Sequence, residues 1–360
     1  MYLCRSGFVV GVFQNQRTAI EFSSSRDGID FRDCFSRLRC ISNFQGDQNF
    51  LYSIMKRFSF FIICLVWVLV ACKQASKTTS DSASDGTIHI SVDETFRPIM
   101  EEQIKVYQSS FPKAKIIATY KPEADCWNDM MNDSTRMVIV TNKLTEQQAA
   151  YYYDSLKLYP QSGLLAFDAI ALVVNRNDPD SVFTTGDVIQ MLKGKSSKNY
   201  GIVFDGLKAT STVRYFMDSV LKTATLNTSQ IMAARTSRDV VQYIAGHKGF
   251  VGFVGVSWIG NPEDPEQLSL LNQVRIAWVS CTSCKDSSFT KPWQEEILTK
   301  RYPYSRGIYY VLKENHNGLG KAFVNFMKSD RGQLIFRRGY VVPAWRPFLV
   351  RETQLKLVKP

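Results

Sequence analysis

Two short hydroxyl-bearing segments stand directly in front of helical patterns. Thr95-Phe96-Arg97-Pro98 precedes Met100, Ile104, Tyr107 and Phe111 at helical spacing, with Pro98 suited to a first helical turn. Ala209-Thr210-Ser211-Thr212 precedes Val213, Phe216, Met217 and Val220 at the same spacing. The first amides of a helix have no carbonyl partners and lie at the positive end of its dipole, so an anion placed there is stabilised. Hydroxyls beside those amides add donors and complete an anion nest. Each segment also has a plainer reading, Thr95 or Ser211 as a simple helix cap. Capping and anion binding are compatible.

Other chemistries find little support. His89, His247 and His316 are far apart in sequence, without carboxylate or Cys partners at metal-ligand spacing. Gly255-Val256-Ser257-Trp258-Ile259-Gly260 is one residue off the G-x-S-x-G nucleophile elbow. It follows a glycine-rich strand and reads as coincidence. No P-loop or dinucleotide fingerprint occurs, so the expectation is a non-enzyme without a cofactor or metal. Cys281-Thr282-Ser283-Cys284 is either a tight loop disulfide or a redox motif. Its late position and the polar Lys-Asp-Ser-Ser that follows favour a structural or incidental pair.

The elements that position these groups alternate between strand and helix. Thr87 to Val92 alternates like a strand, Pro112 stops the helix that follows, and Lys115–Tyr120 is a second strand. Met137–Val140 is apolar enough for burial on both faces, and Phe167–Val174 is a long apolar strand ending in the turn cluster Asn175–Pro179. Thr185–Lys193 and Val213–Leu221 read as helices, Gly201–Phe204 and the glycine-spaced 249–255 as strands. Arg306–Leu312 is a last strand before a helix with Phe323, Phe326 and Met327 on one face. The class is α/β with mostly parallel sheet.

The N-terminal part stands outside this pattern. Residues 1–54 lack sustained periodicity and read as an upstream extension. Met55-Lys56-Arg57, the uncharged run Phe58–Ala71 and then Cys72 form a secretory signal. The run is shorter than the roughly 20 residues of a membrane span. Lys73–Asp85, rich in Ser, Thr and Lys, reads as a flexible tether, and 351–360 as a tail. The chain carries 44 basic and 33 acidic residues, a net charge of +11; without residues 1–72 the balance is +8. With no nucleic-acid-binding motif alongside, this excess fits solvated surface or residues facing an anion or lipid.

Several segments resemble the PstS-like phosphate-binding proteins of bacterial ABC importers. Tyr302-Pro303-Tyr304-Ser305-Arg306-Gly307-Ile308-Tyr309-Tyr310 is similar to that family's returning strand. Ser329–Gln333 followed by Gly339–Pro343 is similar to its closing helix and turn. Phe167–Asn175 looks like its first crossing strand, and Ala245–Val254 like the glycine-containing strand leading to the second. Leu69-Val70-Ala71-Cys72 resembles a bacterial lipobox, which makes Cys72 the lipidated residue. The resemblance implies a periplasmic-binding-protein fold of two α/β lobes joined by two hinge strands, with the ligand between them. Lobe 1 would comprise 86–165 and 306–350, and lobe 2 residues 166–305.

It also implies a ligand set. Thr95 and Phe96 match a Thr-Phe pair that supplies hydroxyl and amide donors; Thr210, Ser211 and Thr212 stand where the family has Ser-Gly-Thr. Gly206 occupies the slot of an anion-pairing Arg, for which Arg214, Arg97 and Arg136 are candidate replacements. Thr141 takes the slot of the acidic acceptor that senses a phosphate proton, and Glu123 and Asp125 are substitute acceptors. A buried carboxylate repels a fully ionised dianion and favours a protonated ligand. The implied partners are inorganic phosphate or a similar oxyanion, an ABC permease, and a membrane reached through the lipid anchor. The expected form is a lipid-anchored monomer facing the periplasm, with no nucleic-acid partner. The alternative is a sensor or interaction lipoprotein with the same fold.

Overall fold

The computed structural model describes residues 81–206, 210–222, 226–286 and 288–345. The extension 1–54, the signal with Cys72, most of the tether, Ala209 and the tail 351–360 lie outside the described residues. Among the described residues no helix is long and apolar enough to cross a membrane.

The strands, in chain order, are β1 (Asp85–Asp93), β2 (Lys113–Lys121), β3 (Thr135–Val140), β4 (Gln161–Asn175), β5 (Val182–Phe183), β6 (Gly201–Phe204), β7 (Ile231–Ala233), β8 (Phe250–Gly255), β9 (Val274–Ile276), β10 (Trp278–Ser280), β11 (Phe289–Thr290), β12 (Ser305–Leu312) and β13 (Val342–Pro343). The main sheet runs β2-β1-β3-β12-β4-β8-β6-β7. β2, β1 and β3 are parallel, as are β8, β6 and β7; β12 and β4 join these two groups through antiparallel pairing. This is the two-lobed fold that the family resemblance implied. β4 is continuous across both lobes: Gln161–Ala169 pairs with β12, and Ile170–Val174 pairs with β8.

Apolar patterning accounts for most of this. Ile88, Ile90 and Val92 alternate inward along β1, and all of Met137–Val140 is buried in β3. The helix Arg97–Ser110 buries Ile99, Met100, Ile104 and Tyr107, with Pro98 in its first turn. Helix Leu319–Lys328 buries Leu319, Phe323, Val324 and Met327. Below helix Ser211–Tyr215 lies an aromatic cluster, with Phe216 4.7 Å from Phe253 and 5.1 Å from Tyr304 between ring centroids. That cluster fixes the height at which Ser211 and Thr212 stand.

Three elements differ from the sequence expectation. β4 starts at Gln161, six residues before the apolar run, because Gln161, Ser162 and Gly163 pair with Leu312, Val311 and Tyr310. The expected helix Val213–Leu221 begins earlier, at Ser211, and widens into a π turn over Phe216–Leu221. Residues 123–129, to which the sequence reading assigned no helix, form helix Glu123–Asp129, whose first turn carries Glu123 and Asp125 where the helix dipole favours acids. The expected tether also ends sooner. Asp81 accepts from the Leu319 amide at 2.7 Å and pairs with Arg136 at 3.3 Å, so the packed chain begins by residue 81.

Candidate functional site

Parallel strands leave unpaired backbone at their carboxyl ends, where ligands of open α/β sheets bind. Asp93 is the last residue of β1, Thr141 follows β3 and Asp205 follows β6. The two hydroxyl segments meet at these ends. Thr95 Oγ1 lies 3.4 Å from Ser211 Oγ, joining residues 116 positions apart. Both residues are fully buried, as is Thr212, whose hydroxyl donates to Asp205 Oδ2 at 3.2 Å. Thr210 caps helix Ser211–Tyr215, accepting from the Val213 amide at 3.4 Å. Thr95 donates both its amide and its hydroxyl to Asp93 Oδ1, each at 3.1 Å. Phe96 sits in the core with the Arg306 guanidinium 5.4 Å above its ring.

Two guanidiniums reach the cluster. Arg306 on β12 donates from Nε to Asp168 Oδ2 at 2.9 Å and from Nη1 to Ser211 Oγ at 3.0 Å. Its side chain is 3% exposed and that of Asp168 is 0% exposed, so this ion pair forms away from water. Arg214 donates from Nε to Glu123 Oε2 at 2.8 Å, and its Nη2 bonds both Glu123 and Thr141 Oγ1. Glu123 Oε1 takes the Thr141 amide at 2.6 Å and the Thr141 hydroxyl at 2.8 Å. The other two candidate arginines serve elsewhere. Arg97 lies over the Tyr120 ring, 4.5 Å from its centroid, and Arg136 bridges Asp81 and Glu314. Asp125 points to solvent, which leaves Glu123 as the buried acid of that pair.

The cluster is acidic. Asp93, Glu94, Glu123, Asp168 and Asp205 face two guanidiniums. Burial, reinforced by Glu123, pushes the Asp93 carboxyl up to about 7. Burial and then Asp205 push Glu94 up to about 7 as well, against a bond from Ser237. Asp205 is raised by its burial. Burial alone would lower Arg306, yet Asp168 and Asp93 hold it above the ordinary value. Asp93 Oδ2, Glu94 Oε1, Asp205 Oδ1 and Arg306 Nη2 are buried without a hydrogen-bond partner among the described residues. The basic excess of the chain is therefore not concentrated in this cluster, in keeping with the solvated-surface reading of that charge.

The structure thus gathers Thr95, Thr141, Ser211, Thr212 and Arg214 with Thr210 and Phe96 adjoining. Sequence reasoning missed Arg306, Asp168, Asp93, Glu94, Asp205 and Ser237 as members of the site. A signal existed for two of them: Asp168 and Arg306 are charges inside otherwise buried strands, and β4 and β12 place them directly opposite.

Elsewhere, Asp81, Glu314 and His316 bring three possible metal ligands within 4.8 Å. Arg136 and the amides of Gly318, Gly320 and Lys321 already engage Glu314, so the group reads as an ion-paired cap on helix Leu319–Lys328. Ser257 donates to the Thr95 carbonyl at 3.0 Å, a structural bond that ties the turn after β8 to the Thr95 segment. Cys281 and Cys284 are disulfide-bonded, with 5.5 Å between their Cα atoms.

Comparison with known proteins finds solved structures of similar fold and a matching family model. The solved structures similar in fold include a phosphate ABC transporter substrate-binding protein from Clostridium perfringens with bound phosphate. That match has 19% identity and a TM-score of 0.59, covering 72% of this chain and 100% of that one. An ABC-type phosphate transport receptor from Vibrio cholerae is 16% identical, with TM-score 0.51, covering 71% of this chain and 99% of that one. The sulfate-binding protein SubI from Mycobacterium tuberculosis is 12% identical, with TM-score 0.51, covering 72% and 87%. No curated protein matches the chain. The model of the PBP superfamily domain matches residues 77–331, and the chain belongs to that superfamily of binding proteins.

Proposed function

We propose that this protein is a lipid-anchored solute-binding protein that captures phosphate or a related oxyanion between its lobes and presents it to an ABC importer. The observation that carries this reading is the meeting of Thr95 and Ser211 at the carboxyl ends of the parallel strands, with Arg306 bonded to Ser211. Helix starts, hydroxyls and a buried guanidinium are the groups that hold small oxyanions. The acids beside them shape the choice. One unpartnered donor on Arg306 and unpartnered acceptors on Asp93, Glu94 and Asp205 suit a ligand with both acceptor oxygens and donor hydrogens. A protonated oxyanion has both. The similar protein from Clostridium perfringens holds phosphate, which supports the same ligand class here.

Calorimetric titration with phosphate, after stripping any carried ligand by partial unfolding and refolding, tests the proposal. We expect 1:1 binding, abolished by the double substitution Thr210→Ala, Thr212→Ala. Binding should be weaker at pH 8 than at pH 6, because Asp93 and Glu94 gain charge as pH rises through about 7. If phosphate, sulfate and molybdate all give no heat, the transport reading is wrong. A sensor or interaction lipoprotein would then be the better account, a reading favoured by the engagement of Arg214 with Glu123.

A further inference from the structure

Glu123 and Arg214 approach from opposite lobes. Glu123 opens a helix packed against β1 and β3, while Arg214 belongs to the helix that follows β6. The Glu123 carboxylate is buried, and its two oxygens receive four donors: the amide and hydroxyl of Thr141, and Nε and Nη2 of Arg214. A carboxylate is itself an oxyanion. A forked guanidinium, a hydroxyl and a backbone amide are a donor set that an exogenous oxyanion would also require. Thr141 and Arg214, both nominated from sequence as ligand groups, are thus engaged by the protein's own acid.

A second bridge repeats the pattern. Glu94, just after β1, sends Oε2 to Ser237 at the start of helix Ser237–Gly246, taking its hydroxyl at 2.9 Å and its amide at 3.3 Å. Here too an acid from one lobe fills an anion receptor on the other, the first turn of a ten-residue helix.

We propose that Glu123 is a tethered anion which occupies the Arg214–Thr141 receptor and latches the lobes together, so that the protein closes without any solute. Glu94 on Ser237 reinforces the latch. Asp218, one turn beyond Arg214 and 3.7 Å from it, is the partner Arg214 retains when the lobes part. This inference rests on reading the cleft as an oxyanion site. It gives that reading a regulatory element: an incoming anion competes with Glu123, and the population of the closed state is set by the chain itself.

Small-angle scattering of the full chain, stripped of ligand, tests the latch without relying on solute binding. The wild type should have the same radius with and without phosphate. Glu123→Ala should be larger when stripped and return to the wild-type radius on adding formate, which restores a carboxylate to the vacated donors. Glu123→Gln, which keeps the shape and loses the charge, should also be larger, and its unfolding midpoint checks that it is folded. Phosphate affinity should rise about tenfold or more in Glu123→Ala, because the closed-off donors become available. A stripped wild type that contracts only when phosphate is added overturns the proposal. So does a stripped Glu123→Ala as compact as the wild type. If formate closes Glu123→Ala while phosphate gives no response in any variant, the latch is supported and the phosphate reading is the one that fails.

Discussion

Asp168 and Arg306 face each other on adjacent antiparallel strands, and each is buried with the other as its charged partner. Removing one member of such a pair leaves the other charge buried without its hydrogen-bonded partner, which costs about 3–5 kcal/mol. Asp168→Ala is therefore expected to lower stability by about that much in urea unfolding. A loss below about 1 kcal/mol would mean that water reaches Arg306. Arg306 is the guanidinium that the fold brings to Ser211, whereas the sequence has Gly206 in the slot of an anion-pairing arginine. It comes 100 positions later in the chain, on a different element. Thr95, Thr210, Ser211 and Thr212 were legible as hydroxyls at helix starts, because a helix start is a local feature. Arg306 was not legible beside them, because its place depends on which strand lies beside β4.

At the scale of elements, the contact between the end of β8 and the Thr95 turn sets the geometry of the site. A Cβ on Gly255 would come within 2.4 Å of Thr95 Cγ2 and 3.5 Å of Arg306 Nη2. Gly255→Ala should displace Thr95, cost about 1–3 kcal/mol in stability, and reduce phosphate binding in calorimetry. Gly246→Ala is the comparison, since a Cβ there meets nothing within 4 Å. At a site without strain the added methyl narrows the unfolded ensemble, so a gain of about 0.4–1 kcal/mol is expected. The opposite ranking of the two variants would show that Gly255 does not hold Thr95 in place. The helices were mostly visible in the periodicity of their apolar faces. Helix Glu123–Asp129 was not, because seven residues are too few to establish a repeat.

For the molecule as a whole, the acids of the cleft set a pH dependence of stability. In the fold burial pushes the Asp93 and Glu94 carboxyls up to about 7, against ordinary values of 3.8 and 4.5. Well below pH 3.8 both are protonated in the folded and unfolded states alike. As pH rises towards 7 the unfolded chain ionises first, so the stability they contribute is lost across that window and levels off above it. Asp81, Asp129 and Asp180 work in the opposite sense, since partners hold them below the ordinary value despite burial, and their contribution is lost as pH falls. Glu94→Gln isolates the first effect. It should match the wild type near pH 4 and exceed it at pH 8 by on the order of 2 kcal/mol. Equal urea midpoints at both pH values would show that Glu94 ionises freely in the fold.

The amino-acid sequence by itself determined the α/β class, the alternation of strands and helices, and the two hydroxyl-bearing helix starts. These follow from short-range periodicity, turn residues and the dipole of a helix end, all of which are expressed within a few turns of chain. Only the tertiary structure decided which charges meet. Arg214 pairs with Glu123 from 91 residues away, and Arg306 with Asp168 from 138. Those pairings depend on the register between β4 and β12 and on the closure of one lobe against the other. No local pattern encodes either quantity. They arise when the buried faces of separate elements pack, and the acidic, self-engaged character of the cleft arises with them.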